Sequence, residues 1–95
     1  MTAIIRPAVE ADLDGIVRVI SEMGAFYGSP SPKDHEAHAS MTRRALFEDN
    51  LGAHVLVACE QEVVGLASYA FVWPATEASR SLYLKDLYVL ESHRS

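Results

Sequence analysis

The alternation of apolar and polar positions divides the chain into six predicted elements. Apolar residues recur every three or four positions over 10–25 and again over 33–48, a spacing typical of amphipathic helices. Other stretches alternate with a period of two or are continuously apolar, as strands are. These strands are predicted at 3–7, 54–59, 63–73 and 81–90. Short connections between the last three strands favour an antiparallel meander, so the predicted fold class is α+β.

The periodicity also predicts which residues of the helices face the core. On the first helix these residues are Leu13, Ile16, Val17, Ile20 and Met23. On the second helix they are Ala37, Met41, Ala45 and Leu46. Turn-forming residues predict loops at 26–32 and 75–80 and a tight polar turn at 60–62. In the strand over 63–73, an aromatic row of Tyr69, Phe71 and Trp73 shares one face and is more typical of packing than of a binding wall.

The last predicted strand carries two adjacent charges among apolar residues. Strict alternation places Lys85 on the same face as Leu87, and Asp86 on the same face as Tyr88. An unpaired charge among apolar neighbours is costly. Two interpretations follow: the strand lies at a sheet edge and both charges are solvated, or it borders a cleft in which both charges act.

This strand also resembles a known family. The order Tyr-Leu-Lys-Asp-Leu-Tyr-Val at 83–89, followed after four residues by Arg94 and Ser95, resembles the fourth strand of the GNAT family of N-acetyltransferases and the start of their acetyl-CoA loop. The order of elements across residues 1–95 likewise resembles the amino-terminal half of that fold, with two helices and a mainly antiparallel sheet, and implies a single partial domain. In that family a glycine-containing turn, a helix and further strands follow, and we expect this chain to lack them.

The resemblance implies acetyl-CoA as cosubstrate. In the family, the backbone of the fourth strand pairs with the pantetheine arm, and a backbone N–H polarises the acetyl carbonyl. The corresponding residues here are Leu87, Tyr88 and Val89, and Arg94 and Ser95 would begin the loop that holds the pyrophosphate. The family's general acid lies in the half that is not represented, so no catalytic residue is assigned, and no metal is expected.

The acceptor implied by the resemblance is a primary amine of a small molecule. Diamine and polyamine acetyltransferases are the most similar subgroup, and Phe26, Tyr27, Lys85 and Asp86 correspond to positions that line their acceptor pocket. Lys85 stands where these enzymes usually have Glu, and Tyr27 where a second Glu is common. The reversed charge at Lys85 favours an acceptor that also carries a carboxylate, such as an amino-acid-like amine. Alternatively, Phe26 and Tyr27 only fasten the loop to the core.

Composition narrows the choice of partners. The 95 residues include 8 basic and 13 acidic side chains and carry a net charge of −5, which disfavours a nucleic-acid partner because phosphate binding needs clustered Lys and Arg. No apolar run approaches the ~20 residues of a membrane span. The first residues lack the pattern of a signal peptide, so the cytoplasm is the predicted location.

Cys59 and the pair His35 and His38 are weaker candidates for a site. A single cysteine in an apolar run is typical of a buried small side chain, and no basic residue lies near Cys59 in the sequence to activate its thiol. His35 and His38 are three positions apart on a predicted helix, but no third ligand has a clear spacing. A solvated helix face is therefore favoured over a metal site.

The last strand also supports a function of a different class. An apolar edge over 81–90 is a template for pairing with another strand. The alternative to an enzyme is a non-catalytic half-domain that self-associates through this strand, and we expect a homodimer.

Overall fold

The computed structural model describes residues 3–28, 34–49, 52–72 and 81–94. Strand β1 spans Ile4–Pro7, and a 3₁₀ turn at Glu10–Asp12 leads into helix α1, Leu13–Phe26. Helix α2 spans His35–Arg43 and continues as a π-helical turn over Arg44–Glu48. The remaining strands are β2 at His54–Glu60, β3 at Glu62–Val72 and β4 at Ser81–Val89, followed by a 3₁₀ turn at Glu91–His93. All six predicted elements are confirmed, whereas Trp73 and the predicted loop at 75–80 lie outside the described residues.

The strands form one antiparallel sheet in the order β1-β2-β3-β4, so the predicted meander is confirmed. Strands β2 and β3 are joined at Gln61, which adopts a left-handed conformation with φ of 73°. That conformation is uncommon for a residue with a side chain and is tolerated in a tight hairpin turn. The order leaves β4 at one edge of the described sheet.

Two β-bulges interrupt the strict alternation assumed from the sequence. Val64 is an extra residue on β3, between the pairs Ala58 with Gly65 and Cys59 with Val63. Lys85 is an extra residue on β4, between the pairs Ser68 with Asp86 and Tyr69 with Leu84. The predicted side-chain faces hold from Asp86 to Leu90 but not across Lys85, because a bulge shifts the phase of the strand by one residue.

Both helices pack on one face of the sheet. The core consists of Ile16, Val19, Val57, Val63, Val64, Leu66, Tyr88 and Leu90. Leu46 and Phe47, in the π-helical turn, pack against it. Of the residues predicted to face inward on α2, Leu46 packs against the core as predicted, whereas Met41 is 70% exposed and Ala37 and Ala45 are also exposed. His38 and Thr42, eight and four residues before Leu46, are half-buried as well.

Helix α1 crosses β3 at very short range. A Cβ atom added at Gly15 would lie 2.7 Å from the Cβ of Val63 and 2.9 Å from its Cγ2. The helix can approach the strand this closely only because position 15 has no side chain. Arg18, one turn further along, donates to the Val63 carbonyl at 2.6 Å and pairs with Glu62 at 3.2 Å.

The start of α1 is fastened to β1 by an ion pair. The guanidinium of Arg6 donates to both oxygens of Asp12, at 2.7 and 2.8 Å, and Asp12 also accepts the N–H of Val9 at 2.8 Å. Asp12 is 7% exposed. The hydrogen bonds from Arg6 hold the pKa of Asp12 below its ordinary value. Val9 precedes the turn and its side chain supplies no cap, so Asp12 provides the capping interaction instead.

The opposite face of the sheet carries a second apolar surface. Its side chains include Ile5, Leu56, Ala58, Ala67, Leu87 and Val89. Ile5 and Leu87 are among its most exposed members. Among the described helices, none combines the length and apolarity needed to cross a membrane.

We expect Gly15→Ala to lower the free energy of unfolding by about 1–3 kcal/mol, because the added methyl group overlaps Val63 and forces the helix from the sheet. This sign is opposite to the gain that alanine gives in an unobstructed helix. Chemical denaturation followed by circular dichroism measures the change. Asp14→Ala, at the adjacent exposed position, is the matched control, and an equal effect of both substitutions would contradict the close contact.

We expect Asp12→Asn to lower the free energy of unfolding by about 1–3 kcal/mol at neutral pH, since asparagine can still cap Val9 but cannot pair with Arg6. The pKa of Asp12 is lowered in the folded state, so its contribution is present above the ordinary carboxyl pKa of 3.8 and is lost as the pH falls through the folded-state pKa. The two proteins should therefore converge in stability only below about pH 4.

Denaturant midpoints measured across that pH range test this expectation. The exposed residue Asp14 provides the control substitution, Asp14→Asn. A constant difference between Asp12→Asn and the unmodified chain down to the lowest pH would show that the ion pair is not its source.

Candidate functional site

The outer edge of β4 carries backbone groups that do not pair with β3. The N–H of Leu90 donates to the Val64 carbonyl of β3 at 2.8 Å. Hydrogen-bonding directions alternate along an antiparallel strand, so the N–H groups of Leu87 and Val89 point away from β3, whereas that of Tyr88 points towards it. Of the three residues predicted to pair with acetyl-CoA through their backbone, Leu87 and Val89 therefore have the suitable orientation.

The predicted site residues Phe26, Tyr27, Tyr88 and Arg94 form one cluster beside this edge. The ring centroids of Phe26 and Tyr27 are 5.2 Å apart, and those of Phe26 and Tyr88 are 5.9 Å apart. The guanidinium of Arg94 lies 4.8 Å from the Tyr88 ring and 5.4 Å from the Phe26 ring, a cation–π arrangement. Arg94 also donates through Nε to the Val89 carbonyl at 2.9 Å, so a positive charge is fixed at the end of β4.

Glu22 organises this cluster, and the sequence analysis missed it. Its carboxylate accepts the hydroxyl of Tyr88 at 3.0 Å and the N–H of Glu91 at 2.9 Å. It thereby fastens α1 to the end of β4 and to the 3₁₀ turn that follows. The only signal in the sequence is a Glu that directly precedes the inward-facing Met23, which does not identify a partner 66 residues away.

The phenol of Tyr88 donates a hydrogen bond to the Glu22 carboxylate. Burial raises the pKa of its phenol, and the hydrogen bond to the Glu22 carboxylate raises it further. The phenol therefore keeps its proton at neutral pH and holds the carboxylate. The family resemblance implied a role for the Tyr88 backbone, and the structure adds a positioning role for its side chain.

Lys85 and Asp86 have different environments. Lys85, the bulge residue, is 66% exposed, whereas Asp86 is 30% exposed and its carboxylate lies 3.6 Å from the Lys85 ammonium. Asp86 lines a cavity of about 350 Å³ between the two helices and the sheet. Lys85 is therefore solvated, whereas Asp86 borders a cleft; a role for either charge stays a prediction.

His38 belongs to the same cavity, contrary to the solvated face predicted for the histidine pair. Its side chain lines the cavity and its Nδ1 atom is buried, whereas His35 is exposed. In the part of the chain that the structure describes, no three or more His, Cys, Asp or Glu side chains are grouped as metal ligands would be.

The pairing of β1 with β2 gives Cys59 a basic neighbour that the sequence did not indicate. A guanidinium nitrogen of Arg6 lies 3.5 Å from its Sγ atom, although the two residues are 53 positions apart. Cys59 is half-buried against the core, as its apolar surroundings predicted. Ser95, predicted to begin the pyrophosphate loop with Arg94, lies outside the described residues.

Comparison with solved structures identifies proteins of similar fold. An integron cassette protein from the mobile metagenome of Vibrio cholerae has a TM-score of 0.82 and 28% identity, over 99% of this chain and 59% of that one. A possible acetyltransferase from Clostridium difficile 630 has a TM-score of 0.78 and 21% identity, over 99% and 61%. A predicted acetyltransferase with acetyl-CoA from Clostridium acetobutylicum has a TM-score of 0.68 and 19% identity, over 98% and 63%.

No protein-family model matches the chain. The chain spans about 60% of the length of the structures that it resembles. Two helices on a four-stranded antiparallel sheet are the part of the fold that it shares with acetyltransferases. The fold class predicted from the sequence is therefore confirmed.

We expect Glu22→Gln to lower the pKa of Tyr88 because the substitution removes a negative charge next to the phenol. Burial, the largest cause of the shift, remains, so the pKa should stay above its ordinary value of 10.0. A pH titration of the tyrosine Cζ resonances by NMR, with Tyr88→Phe for assignment, measures the change. Glu36→Gln, at an exposed position of α2, is the control, and an unchanged Tyr88 pKa in Glu22→Gln would contradict the hydrogen bond.

Proposed function

We propose that the chain is part of an acetyl-CoA-dependent N-acetyltransferase that acts on a primary amine of a small molecule. The observation that carries this proposal is the double role of β4: the backbone of Leu87 faces the open edge, and the preceding residue, Asp86, lines the cavity under the helices. Two consecutive residues thus supply the two features that the reaction needs: Leu87 supplies a backbone group for an extended cosubstrate, and Asp86 supplies a carboxylate for an amine. The similarity in fold to acetyltransferase structures supports the same function.

The residues at the edge fit the chemistry that acetyl-CoA requires. Acetyl-CoA would supply an acetyl thioester, whose carbonyl carbon bonds to the amine nitrogen as the carbon–sulfur bond breaks and the amine proton passes to the leaving thiolate. The outward N–H of Leu87 can donate to an oxygen at the edge, where negative charge develops during acyl transfer. Arg94 adds a fixed positive charge beside the same edge. Leu87, Val89 and Arg94 are the residues proposed to hold the cosubstrate.

Asp86 is proposed to bind the acceptor as its ammonium form, which releases one proton to solvent so that the neutral amine nitrogen can attack the thioester. A carboxylate paired with an ammonium lowers the cost of placing that charge in a cavity and orients the nitrogen towards β4. Lys85 remains available on the solvent side for an acceptor that carries a carboxylate, the amino-acid-like alternative. Phe26 and Tyr27 support Arg94 and Tyr88 in this arrangement and need not contact the acceptor. The proposal also places the protein in the cytoplasm.

The same edge favours a second candidate function, self-association without catalysis. Side chains of β4 that are apolar and at least half exposed include Leu82, Tyr83, Leu84 and Leu87. An exposed apolar edge strand readily pairs with the same strand of another copy. Both functions require the outward backbone groups of Leu87, so a bound cosubstrate and an edge-to-edge dimer exclude one another.

Leu87→Pro is the most direct test of the proposed function. Proline removes the outward N–H without removing a bond to β3, so the fold is retained while affinity for acetyl-CoA falls by about five-fold or more, the value of one hydrogen bond. Isothermal titration with acetyl-CoA, together with mass spectrometry of an acetylated amine panel, measures binding and transfer. Leu87→Ala is the matched control, since it removes the side chain and keeps the N–H.

Solution mass measured on the same samples separates the two candidates. Binding of acetyl-CoA that converts any dimer to monomer supports the acetyltransferase. A stable dimer that binds no acetyl-CoA and acetylates none of the amines would contradict it and leave self-association as the function. Equal binding by Leu87→Pro and Leu87→Ala would refute the role of the backbone N–H.

A further inference from the structure

The cavity between the helices and the sheet combines a small volume with a mostly apolar wall. Its volume of about 350 Å³ lies at the lower end of the range for small-ligand sites, ~300–1,000 Å³. Side chains from both helical segments and from β2 and β3 form the apolar part of the wall, among them Ile20, Met23, Leu46, Val55 and Leu66. Such a wall favours a hydrocarbon body and penalises a charge placed against it.

The polar groups that line the cavity differ between its two sides. On the sheet side, Ser68 and Asp86 are direct partners across β3 and β4. On the helix side, the Thr42 hydroxyl already donates to the His38 main-chain carbonyl at 2.8 Å, and the Nδ1 atom of His38 is buried. Asp86 is the one acidic side chain among the described residues that line the cavity. Negative charge in this lining is therefore confined to one point on the sheet side.

The Asp86 carboxylate has capacity for a further donor. It is 30% exposed, and the ammonium of Lys85, 3.6 Å away, belongs to a side chain that is 66% exposed. A carboxylate offers about four acceptor positions, so one lysine on the solvent side leaves positions for a group that enters the cavity. Ser68 lies on the same rung of the sheet, and its hydroxyl can accept from the same group.

These observations, which rest on the proposed acetyl transfer, identify the class of acceptor. We infer that the acceptor is a primary monoamine with an uncharged hydrocarbon body. Its ammonium pairs with Asp86, and its hydrocarbon body lies along the apolar wall between the helices and the sheet. An acceptor of this class carries one charge, whereas diamines and amino acids carry two.

The two acceptor classes drawn from the sequence each place a second charge where the cavity opposes it. A diamine would place its second ammonium against the apolar wall, where no described side chain of the lining carries a negative charge to pair with it. An amino-acid-like amine would place its carboxylate beside that of Asp86, and Lys85 is not among the described lining residues. The single carboxylate in an apolar wall therefore favours a monoamine over both.

Four ligands of similar size test the number of charges without acetyl-CoA. Hexylamine carries one ammonium, and hexan-1-ol carries no charge. Cadaverine replaces the terminal methyl group of hexylamine by a second ammonium, and 2-aminoheptanoate adds a carboxylate next to the amine. Each ligand is titrated into the 95-residue chain, and the methyl resonance of Met23, which lines the cavity, is followed by NMR.

We expect hexylamine to shift the Met23 resonance and to bind about five-fold or more tightly than each of the other three ligands. Hexan-1-ol lacks the ionic contact with Asp86, cadaverine has an unpaired second ammonium, and 2-aminoheptanoate brings a carboxylate close to Asp86. Equal or tighter binding by any of these three, or a Met23 resonance that hexylamine does not shift, would overturn the inference.

A carboxylate added to the wall should remove the discrimination against diamines. Met41 lines the cavity and is 70% exposed, so a charged side chain at this position need not be buried. Met41→Glu should raise the affinity for cadaverine about five-fold more than that for hexylamine, because only cadaverine has a second ammonium to pair with it. Met41→Gln has the same shape without the charge and is the matched control. An equal change for both ligands would contradict the orientation of the amine.

Removal of the native carboxylate tests the other end of the ligand. Asp86→Asn should lower the affinity for hexylamine by about five-fold or more and leave that for hexan-1-ol within about two-fold. Asp14→Asn, at an exposed position of α1, is the matched control and should change neither affinity. Hexylamine affinity that survives Asp86→Asn would refute the pairing with this carboxylate.

The two levels of the proposal fail in different ways. Absence of acetyl-CoA binding, with the preference for hexylamine intact, would contradict acetyl transfer but not the ligand class of the cavity. Acetyl-CoA binding with no preference for the monoamine would overturn the acceptor class and leave acetyl transfer in place.

Discussion

The contact between Gly15 and Val63 sets the geometry on which the rest of the molecule depends. It lets α1 lie closer to β3 than any side chain at position 15 would permit, and the helix is then held at both ends by carboxylates. Asp12 joins its beginning to β1, and Glu22 joins its last turns to the end of β4. The same helix contributes Ile20 and Met23 to the cavity, so its position on the sheet sets one wall of that space.

The elements could be predicted from the sequence because their signals are local. Helical and strand periodicities depend on neighbours a few residues apart, and the order of elements then restricts the sheet to a meander. Two features depend on more distant contacts and were not predictable. The bulge at Lys85 arises from pairing with β3, and the burial of the Nδ1 atom of His38 depends on the elements that pack around α2.

The residues of the candidate site also divide into those with a local signal in the sequence and those without one. Asp86 and the aromatic pair Phe26 and Tyr88 stand out in the sequence because charged and aromatic residues interrupt simple patterns. Glu22 and His38 do not, since each looks like an ordinary polar residue on a helix. Their importance comes from what the fold places opposite them, a tyrosine hydroxyl in one case and an apolar cavity in the other. Polar residues near the inward face of a helix are therefore the positions at which sequence patterns are least informative.

The bulge in β4 divides the strand into two segments with independent side-chain phases. From Asp86 onward the strand is held by the side chains of Tyr88 and Leu90, which lie in the core. Before Lys85, by contrast, the apolar side chains of the strand are all exposed. Loss of the extra residue would restore a regular ladder without turning Asp86 away from the cavity. Evolution can therefore insert or delete a residue at this point and reshape the exposed segment before Lys85 while the carboxylate of Asp86 stays in place, so the two can change independently.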